Sequence, residues 1–248
     1  MKKKLFLLSC AVIFLMSLTI TAVIYAVAEK PEVAKFKKLS GSIKYDHEGM
    51  SGYKDVTCEE ALKMTLFEND IVSSVDATGE VATTYGAKID VKSNTEFQIG
   101  FYNLRIKRGG VWIAFKADSY SKEKKFKVST PGGSIGIKGT ELAVYIFEDD
   151  SVVIQVSEGL VDFKGNNATG EVDIAAGSVY FYDENGGISE YVNVGAGVDI
   201  IELINEEGGK ISLKALIEKA RSRSTKKVPT GETGSGTVNN PWKQIKNK

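Results

Sequence analysis

The sequence is poor in the side chains that most often carry catalysis or bind metals. Among 248 residues there is one histidine, His47, and there are two cysteines, Cys10 and Cys58. Such a set gives no zinc site of ordinary spacing, because zinc sites need three or four of these ligands. Cys10 falls in an apolar leader, so Cys58 has no second cysteine in the folded part with which to form a disulfide. We therefore predict no catalytic residue, no cofactor and no metal ligand.

The remaining polar patterns also favour a protein that is not an enzyme. A P-loop carries a lysine directly after its last glycine and then continues as a helix. The glycines between Gly133 and Thr140 have no lysine at that position, and a strand pattern follows them. A phosphate loop is therefore excluded. We expect Thr140 to hydrogen-bond the turn backbone there. Acidic pairs such as Asp149-Asp150 and Asp183-Glu184 fall in predicted turns. Charges at turns are usually solvated, and calcium binding is the alternative.

Charge is distributed unevenly along a chain whose formal net charge is zero. Residues 29–220 hold 22 Lys and Arg against 31 Asp and Glu, a net charge of −9. An acidic body argues against nucleic-acid binding, which depends on clustered cations that displace counterions from phosphates.

The first 28 residues form a leader typical of exported proteins. Lys2 to Lys4 precede an apolar run from Leu5 to Ala28, and Ala26-Val27-Ala28 fits the small-x-small rule for cleavage. The run is also long enough to cross a bilayer, which takes about 20 residues. The leader over 1–28 is therefore a signal peptide or a membrane anchor. Either leaves the rest of the chain exported, as a secreted protein or on the membrane surface facing outward.

Residues 33–194 have the pattern of an all-β domain. Apolar and polar residues alternate in short runs, and Gly, Asn and Asp turns recur every 8–12 residues or so, which is typical of a sandwich or barrel. The clearest stretch, Phe126 to Phe163, predicts a strand, a glycine-rich turn, a second strand, a tight turn and a third strand. Gly109-Gly110 separates two further predicted strands. Glu59 to Phe67 fits either a short helical turn or a loop.

The pattern becomes helical near the C-terminus. Residues 198–220 predict a short helical extension, in which Ser212 caps a helix whose Leu213, Leu216 and Ile217 share one face. This extension is expected to pack on the sandwich or to cover an edge strand, and binding of a partner is the alternative. Residues 221–248 are basic and low in apolar residues, and they predict a disordered tail.

Thr130-Pro131, Gly139-Thr140 and Glu158-Gly159 follow one another between predicted strands, and this order resembles the core of the FecR domain family. Supporting pairs lie upstream at Asp70-Ile71 and Thr78-Gly79 and downstream at Ala176-Gly177. The resemblance implies an exported domain with a jelly-roll-like β-sandwich, and it implies no reaction. The residues that carry the signature are Thr130, Pro131, Gly139, Thr140, Glu158 and Gly159.

The resemblance also limits what role is expected. Classical members of the family regulate an iron-uptake sigma factor and place a sizeable anti-sigma segment before the membrane helix. Here only Met1 to Lys4 precede the apolar run, so we do not expect the cytoplasmic anti-sigma segment or direct regulation of a sigma factor.

Two functional hypotheses follow. The first is a non-catalytic extracytoplasmic module at the cell envelope that binds, scaffolds or takes part in signalling through an unknown protein or cell-wall glycan partner. The alternative is a carbohydrate- or cell-wall-binding module whose ligand face includes Trp112, Tyr180 and Tyr182. These aromatic residues alternate with aliphatic ones, so packing within the sheets is the competing interpretation. A membrane contact is expected only through residues 5–28, if the leader is uncleaved.

Overall fold

The computed structural model describes residues 30–116, 125–167, 170–194, 198–208 and 210–225. The leader and the segment from residue 226 onward, to which the signal, anchor and tail predictions apply, lie outside these ranges. The described residues are mostly β-strand, and no helix among them has the length and apolar character needed to cross a bilayer.

The described residues between Glu32 and Asn193 form seventeen strands and one short helix. Their bounds are β1 Glu32–Ser40, β2 Ile43–Asp46, β3 Lys54–Val56, β4 Thr65–Phe67, β5 Ile71–Ser74, β6 Thr78–Thr83, β7 Ala87–Val91, β8 Thr95–Gly100, β9 Asn103–Phe115, β10 Phe126–Thr130, β11 Gly133–Ile137, β12 Thr140–Ile146, β13 Val152–Glu158, β14 Leu160–Gly165, β15 Val172–Ala175, β16 Ser178–Asp183 and β17 Ile188–Asn193. The helices are α1 Cys58–Lys63, α2 Ile200–Glu206 and α3 Leu213–Thr225.

The strands pair into two sheets that share one strand. Sheet A has the order β4-β1-β6-β7-β9-β12-β13-β16-β17. Sheet B has the order β3-β2-β5-β8-β9-β10-β11-β14-β15. The pairing of β9 with β10 is parallel, and the other pairs are antiparallel.

Strand β9 passes from one sheet to the other at Gly109. Its first half pairs with β8 and β10 in sheet B, and its second half pairs with β7 and β12 in sheet A. Gly109 has a φ of 79°, and a Cβ there would lie 2.4 Å from the carbonyl oxygen of Asn94. The bend is therefore open only to glycine. Thr95 reinforces it, because its Oγ1 accepts from the Gly110 amide at 3.0 Å.

Side chains from the facing surfaces of the two sheets form the main core. The alternation that the sequence shows places one face of each strand inside, as for Val111 and Ile113 in sheet A and Leu104 and Ile106 in sheet B. All four are fully buried. Burial of such a continuous apolar layer is the main stabilising contribution expected for a β-sandwich.

A second apolar cluster lies on the outer face of sheet A. There α2 and α3 pack against the half of the sheet formed by β12, β13, β16 and β17. The buried side chains are Ala143, Val153, Val179, Phe181 and Val192 from the strands and Leu203, Ile204, Leu216, Ile217 and Ala220 from the helices. Gln155 fixes the start of α2, because its Oε1 accepts from the Ile200 amide at 2.8 Å. The helical extension therefore packs on the sandwich, as one of the two sequence expectations states.

Local features differ in part from the sequence expectations. The segment Glu59 to Phe67 holds both α1 and β4, and the expected cap at Ser212 is confirmed by the 3.3 Å bond from the Ala215 amide. Helix α3 continues to Thr225, so the expectation of a tail from Arg221 is wrong for its first five residues. The expected glycine-rich turn contains a strand, β11, because Ile135 and Ile137 alternate into the core between glycines that hide the pattern. The two strands expected around Gly109 are one bent strand.

Candidate ligand-binding groove

The outer face of sheet B carries an open polar groove across β9, β10 and β11. Its volume is about 410 Å³. Arg105, Lys107 and Lys127 are exposed along it, and Ser129 and Ser134 are half-buried. The described residues that line it are Arg105, Ile106, Lys107, Lys127, Ser129, Thr130, Pro131, Gly133, Ser134 and Asn166.

Strand register brings these side chains together from three segments of the chain. The parallel pairing of β9 and β10 sets Ser129 beside Arg105. The antiparallel pairing of β10 and β11 sets Ser129 opposite Ser134, and β14 places exposed Lys164 opposite Ser134. The alternating neighbours Val128 and Ile135 are fully buried. The inward apolar residues of these strands thus fix the outward direction of the polar ones.

The turn from Thr130 to Gly133 forms one wall of the groove. The hydroxyl of Thr130 accepts from the Gly133 amide at 3.1 Å and donates to the Gly133 carbonyl at 2.9 Å. The side-chain amide of Asn166 donates to the Pro131 carbonyl. The fixed φ of Pro131 and the two hydrogen bonds of the Thr130 hydroxyl leave this wall little conformational freedom. Two residues of the family signature, Thr130 and Pro131, therefore shape the groove.

The cations at the groove fall into two groups. Lys107 contacts Glu96 at 2.9 Å, and Lys125, at the start of β10, contacts Asp162 at 2.9 Å. This hydrogen bond with Asp162 raises the pKa of Lys125. Within the described residues, by contrast, no ion pair involves Arg105, Lys127 or Lys164. These three positive charges remain available to a ligand.

Partial burial opposes ionisation of Glu96, but hydrogen bonds from Lys107 and Tyr53 outweigh it and lower the pKa of that carboxyl. Burial, followed by the hydrogen bond to Glu96, raises the pKa of Tyr53 to about 12. Glu96 is therefore an anion at neutral pH that balances Lys107 at one end of the groove.

A Gly-x-Ser-x-Gly pattern, typical of a nucleophile elbow, runs from Gly132 to Gly136 within the groove segment. The elbow requires a sharp strand-to-helix turn that exposes the serine. Here Ser134 lies in the extended strand β11, which pairs on both sides, with β10 and β14. The geometry is that of a sheet surface and not that of an elbow.

The other signature residues lie where β12 and β13 begin and end their pairing. A Cβ at Gly159, whose φ is 86°, would lie 2.3 Å from Cγ2 of Thr140. Thr140 is buried, and its hydroxyl has no hydrogen-bond partner within the described residues. The expected hydrogen bond from Thr140 to the turn is therefore wrong, and the residue acts there through its methyl group. Gly139 has a φ of 60°, and Glu141 of β12 pairs with Glu158 before a shift in register.

His47 belongs to a separate cluster around a buried carboxylate. Asp70 is fully buried, and its Oδ1 lies 2.7 Å from Nδ1 of His47. Its Oδ2 accepts from the Tyr45 hydroxyl at 2.9 Å and from the Phe67 amide at 2.7 Å. Burial, followed by the hydrogen bond to Asp70, raises the pKa of Tyr45. His47 is therefore tied to a buried carboxyl group and is not a freely solvated loop histidine.

An open cavity of about 390 Å³ beside this cluster is lined by Lys30, Glu32, His47 and Phe67. A His–Asp pair is part of a nucleophilic triad. In the described residues, however, the hydrogen bonds of His47 go to Tyr45 and Asp70 and not to a serine, threonine or cysteine. The arrangement supplies hydrogen bonds to the buried carboxyl group of Asp70, and within the described residues it lacks a nucleophile contact.

The three aromatic residues of the expected ligand face do not share one surface. Tyr180 is 3% exposed and packs in the main core, where Tyr182 also packs against Phe163. Trp112 is half-buried and packs against the helix-covered cluster of sheet A. The structure thus separates Trp112 from the tyrosine pair, because β9 and β16 have two strands between them in sheet A and present them to opposite faces.

The sequence alone gave only a partial signal for the groove. Basic and hydroxyl residues alternate with apolar ones on β9 and β10, which marks them as outward-facing. Their meeting depends on the parallel pairing of β9 with β10, which sequence alternation does not encode. Within the described ranges, no three His, Cys, Asp or Glu side chains are grouped closely enough to hold a metal ion.

The region that contains most of the groove matches a known protein family. Residues 69–162 match the family described as FecR protein. Two solved structures from Parabacteroides distasonis ATCC 8503, each described as a "putative anti-sigma factor", are similar to this chain at 13% and 12% identity, with TM-scores of 0.43 and 0.45. The matches cover 49% and 62% of this chain and 57% and 74% of those chains. The chain thus spans little more than half of the first structure. No curated protein matches the sequence.

Proposed function

We propose that this chain, whose residues 69–162 match the FecR family, is a non-catalytic binding module that acts outside the cytoplasm at the cell envelope. The family match supports a signal-related role. The proposal includes the jelly-roll connectivity that the family resemblance implies and an exported chain whose leader is a signal peptide or an anchor. Its partner is a protein or a glycan of the envelope.

The observation that carries the proposal is that the turn from Thr130 to Gly133, which contains two of the signature residues, forms one wall of the groove. Thr130 and Pro131 lie inside the matched segment and line an open polar surface. The other polar candidate, His47, is held against buried Asp70. An open surface whose cations are unpaired and whose histidine contacts no nucleophile, as far as the described residues show, suits binding rather than a reaction.

The carbohydrate- or cell-wall-binding alternative is favoured by one specific feature. The groove floor presents the hydroxyls of Ser129 and Ser134 between cations, and such groups hydrogen-bond to sugar hydroxyls. This version moves the ligand face from the three aromatic residues to sheet B.

Retention of the full chain in envelope fractions washed with detergent, which releases a membrane anchor, tests the function, and the mass of its N-terminus in each fraction tests cleavage after Ala28. Ser134→Trp should fill the groove and release the protein from its envelope partner. Ser93→Trp is the matched control, because Ser93 is an exposed serine in the turn between β7 and β8. Equal retention of both variants and the wild type would contradict binding through the groove, and a chain found only in the cytoplasm would contradict export.

A further inference from the structure

We propose that the groove of sheet B takes an anionic glycan, a sugar polymer that carries carboxylate or phosphate groups. This inference rests on the proposed binding function and names the chemistry of its ligand. Its basis is the arrangement of side chains in the groove. Cations that form no ion pair within the described residues lie on both sides of a floor of small hydroxyl side chains.

The positions of the charges define the proposed contact. Arg105, Ser129, Ser134 and Lys164 lie in register on four successive strands, β9, β10, β11 and β14. At about 4.8 Å per strand, the backbone positions of Arg105 and Lys164 are about 14 Å apart across the sheet. Lys127 is exposed on β10, two residues before Ser129. The body of the protein is acidic, so these charges form a local positive site on a chain that would otherwise repel polyanions.

The position of the groove argues against an added peptide strand. A peptide that joins a sheet needs an edge with unpaired backbone groups. Strands β9, β10 and β11 lie inside sheet B, and each pairs with a neighbour on both sides. The groove therefore offers no unpaired strand edge to a peptide.

The composition of the groove argues against nucleic acid and against a neutral sugar. Single-stranded nucleic acids bind through aromatic side chains on which bases stack. None of the described residues that line the groove is aromatic. The hydroxyl and amide groups of Ser129, Ser134 and Asn166 suit a polyhydroxylated chain, and the cations add a requirement for negative charge.

The test measures binding of the purified full chain to immobilised polygalacturonate, dextran and poly(U). Polygalacturonate should bind, dextran should bind at least ~10-fold more weakly, and binding should weaken as salt rises, since exposed charges are screened. Arg105→Ala and Lys127→Ala should each lower the affinity for polygalacturonate about threefold, as expected for a solvent-exposed ion pair. Lys37→Ala is the matched control, because Lys37 is an exposed lysine on β1 in sheet A.

Several results would overturn the inference. Equal binding to dextran would remove the charge requirement, and poly(U) binding as tight as that of polygalacturonate would remove the glycan. An equal loss in Lys37→Ala would mean that net charge, and not the groove, decides binding. If no probe binds while Ser134→Trp still releases the protein from envelope fractions, the anionic glycan is wrong and the binding function stands. If Ser134→Trp has no effect either, both fail.

Discussion

The outer faces of the two sheets differ in what covers them. On sheet A, α2 and α3 bury an apolar layer over β12, β13, β16 and β17. On sheet B, the corresponding surface over β9, β10 and β11 is polar and open. The residues under the helices must stay apolar because they are buried, so this face of sheet A serves the stability of the fold. The open face can vary its polar residues without loss of the core, and binding residues are expected there.

The largest expected effect of this difference is on stability. Leu216→Ala removes a fully buried side chain from the helical cover and should cost about 2–5 kcal/mol of unfolding free energy, because it leaves a cavity. Ser134→Ala on the open face should stay within about 0.5 kcal/mol of the wild type. Denaturant unfolding of both variants makes the comparison, and equal losses would show that the two faces do not differ in this way.

The next effect concerns the buried carboxylate near the edge of sheet B. Asp70→Ala leaves the Phe67 amide and the Tyr45 hydroxyl without their acceptor and should cost roughly 3 kcal/mol. Asp76→Ala is the control, because Asp76 is an exposed aspartate. Unfolding midpoints measure both, and a neutral Asp70→Ala would contradict the structural role given to this cluster.

A smaller effect is expected at alkaline pH from the covered face. Burial raises the pKa of Tyr145 above its ordinary 10.0, where the ring lies beside Gly110 at the edge of the helical cover. Its contribution to stability is therefore fully present below pH 10 and is lost as pH rises through the folded pKa. Tyr145→Phe should reduce the alkaline slope of unfolding free energy. An unchanged slope would indicate that the helices do not shield this ring.

The smallest effect is expected at acid pH from the open face. Hydrogen bonds from Lys107 and Tyr53 outweigh partial burial and lower the pKa of Glu96 below 4.5. Its contribution is present above that value and is lost as pH falls through the folded pKa. Glu96→Gln should flatten the acid limb of the stability curve slightly, and a steeper acid limb in this variant would contradict the assignment.

The sequence predicts the sheets better than it predicts the surface. Alternation along Leu104–Ile106 and Val111–Ile113 is enough to place the core face, and the i, i+3, i+4 spacing of Leu213, Leu216 and Ile217 is enough to place α3. Alternation cannot reveal which strands become neighbours. It therefore misses the parallel contact of Ser129 with Arg105, and it assigns the ligand face to aromatic residues that the sheets bury or separate.

The most direct test of the account compares crosslinking from the two faces in living cells. A photoreactive p-benzoylphenylalanine replaces Lys107, which is exposed at the end of the groove, or Glu202, which is exposed on α2. The account predicts that envelope material crosslinks from position 107 and not from position 202. Crosslinking from position 202 alone, through the helical cover, would contradict it.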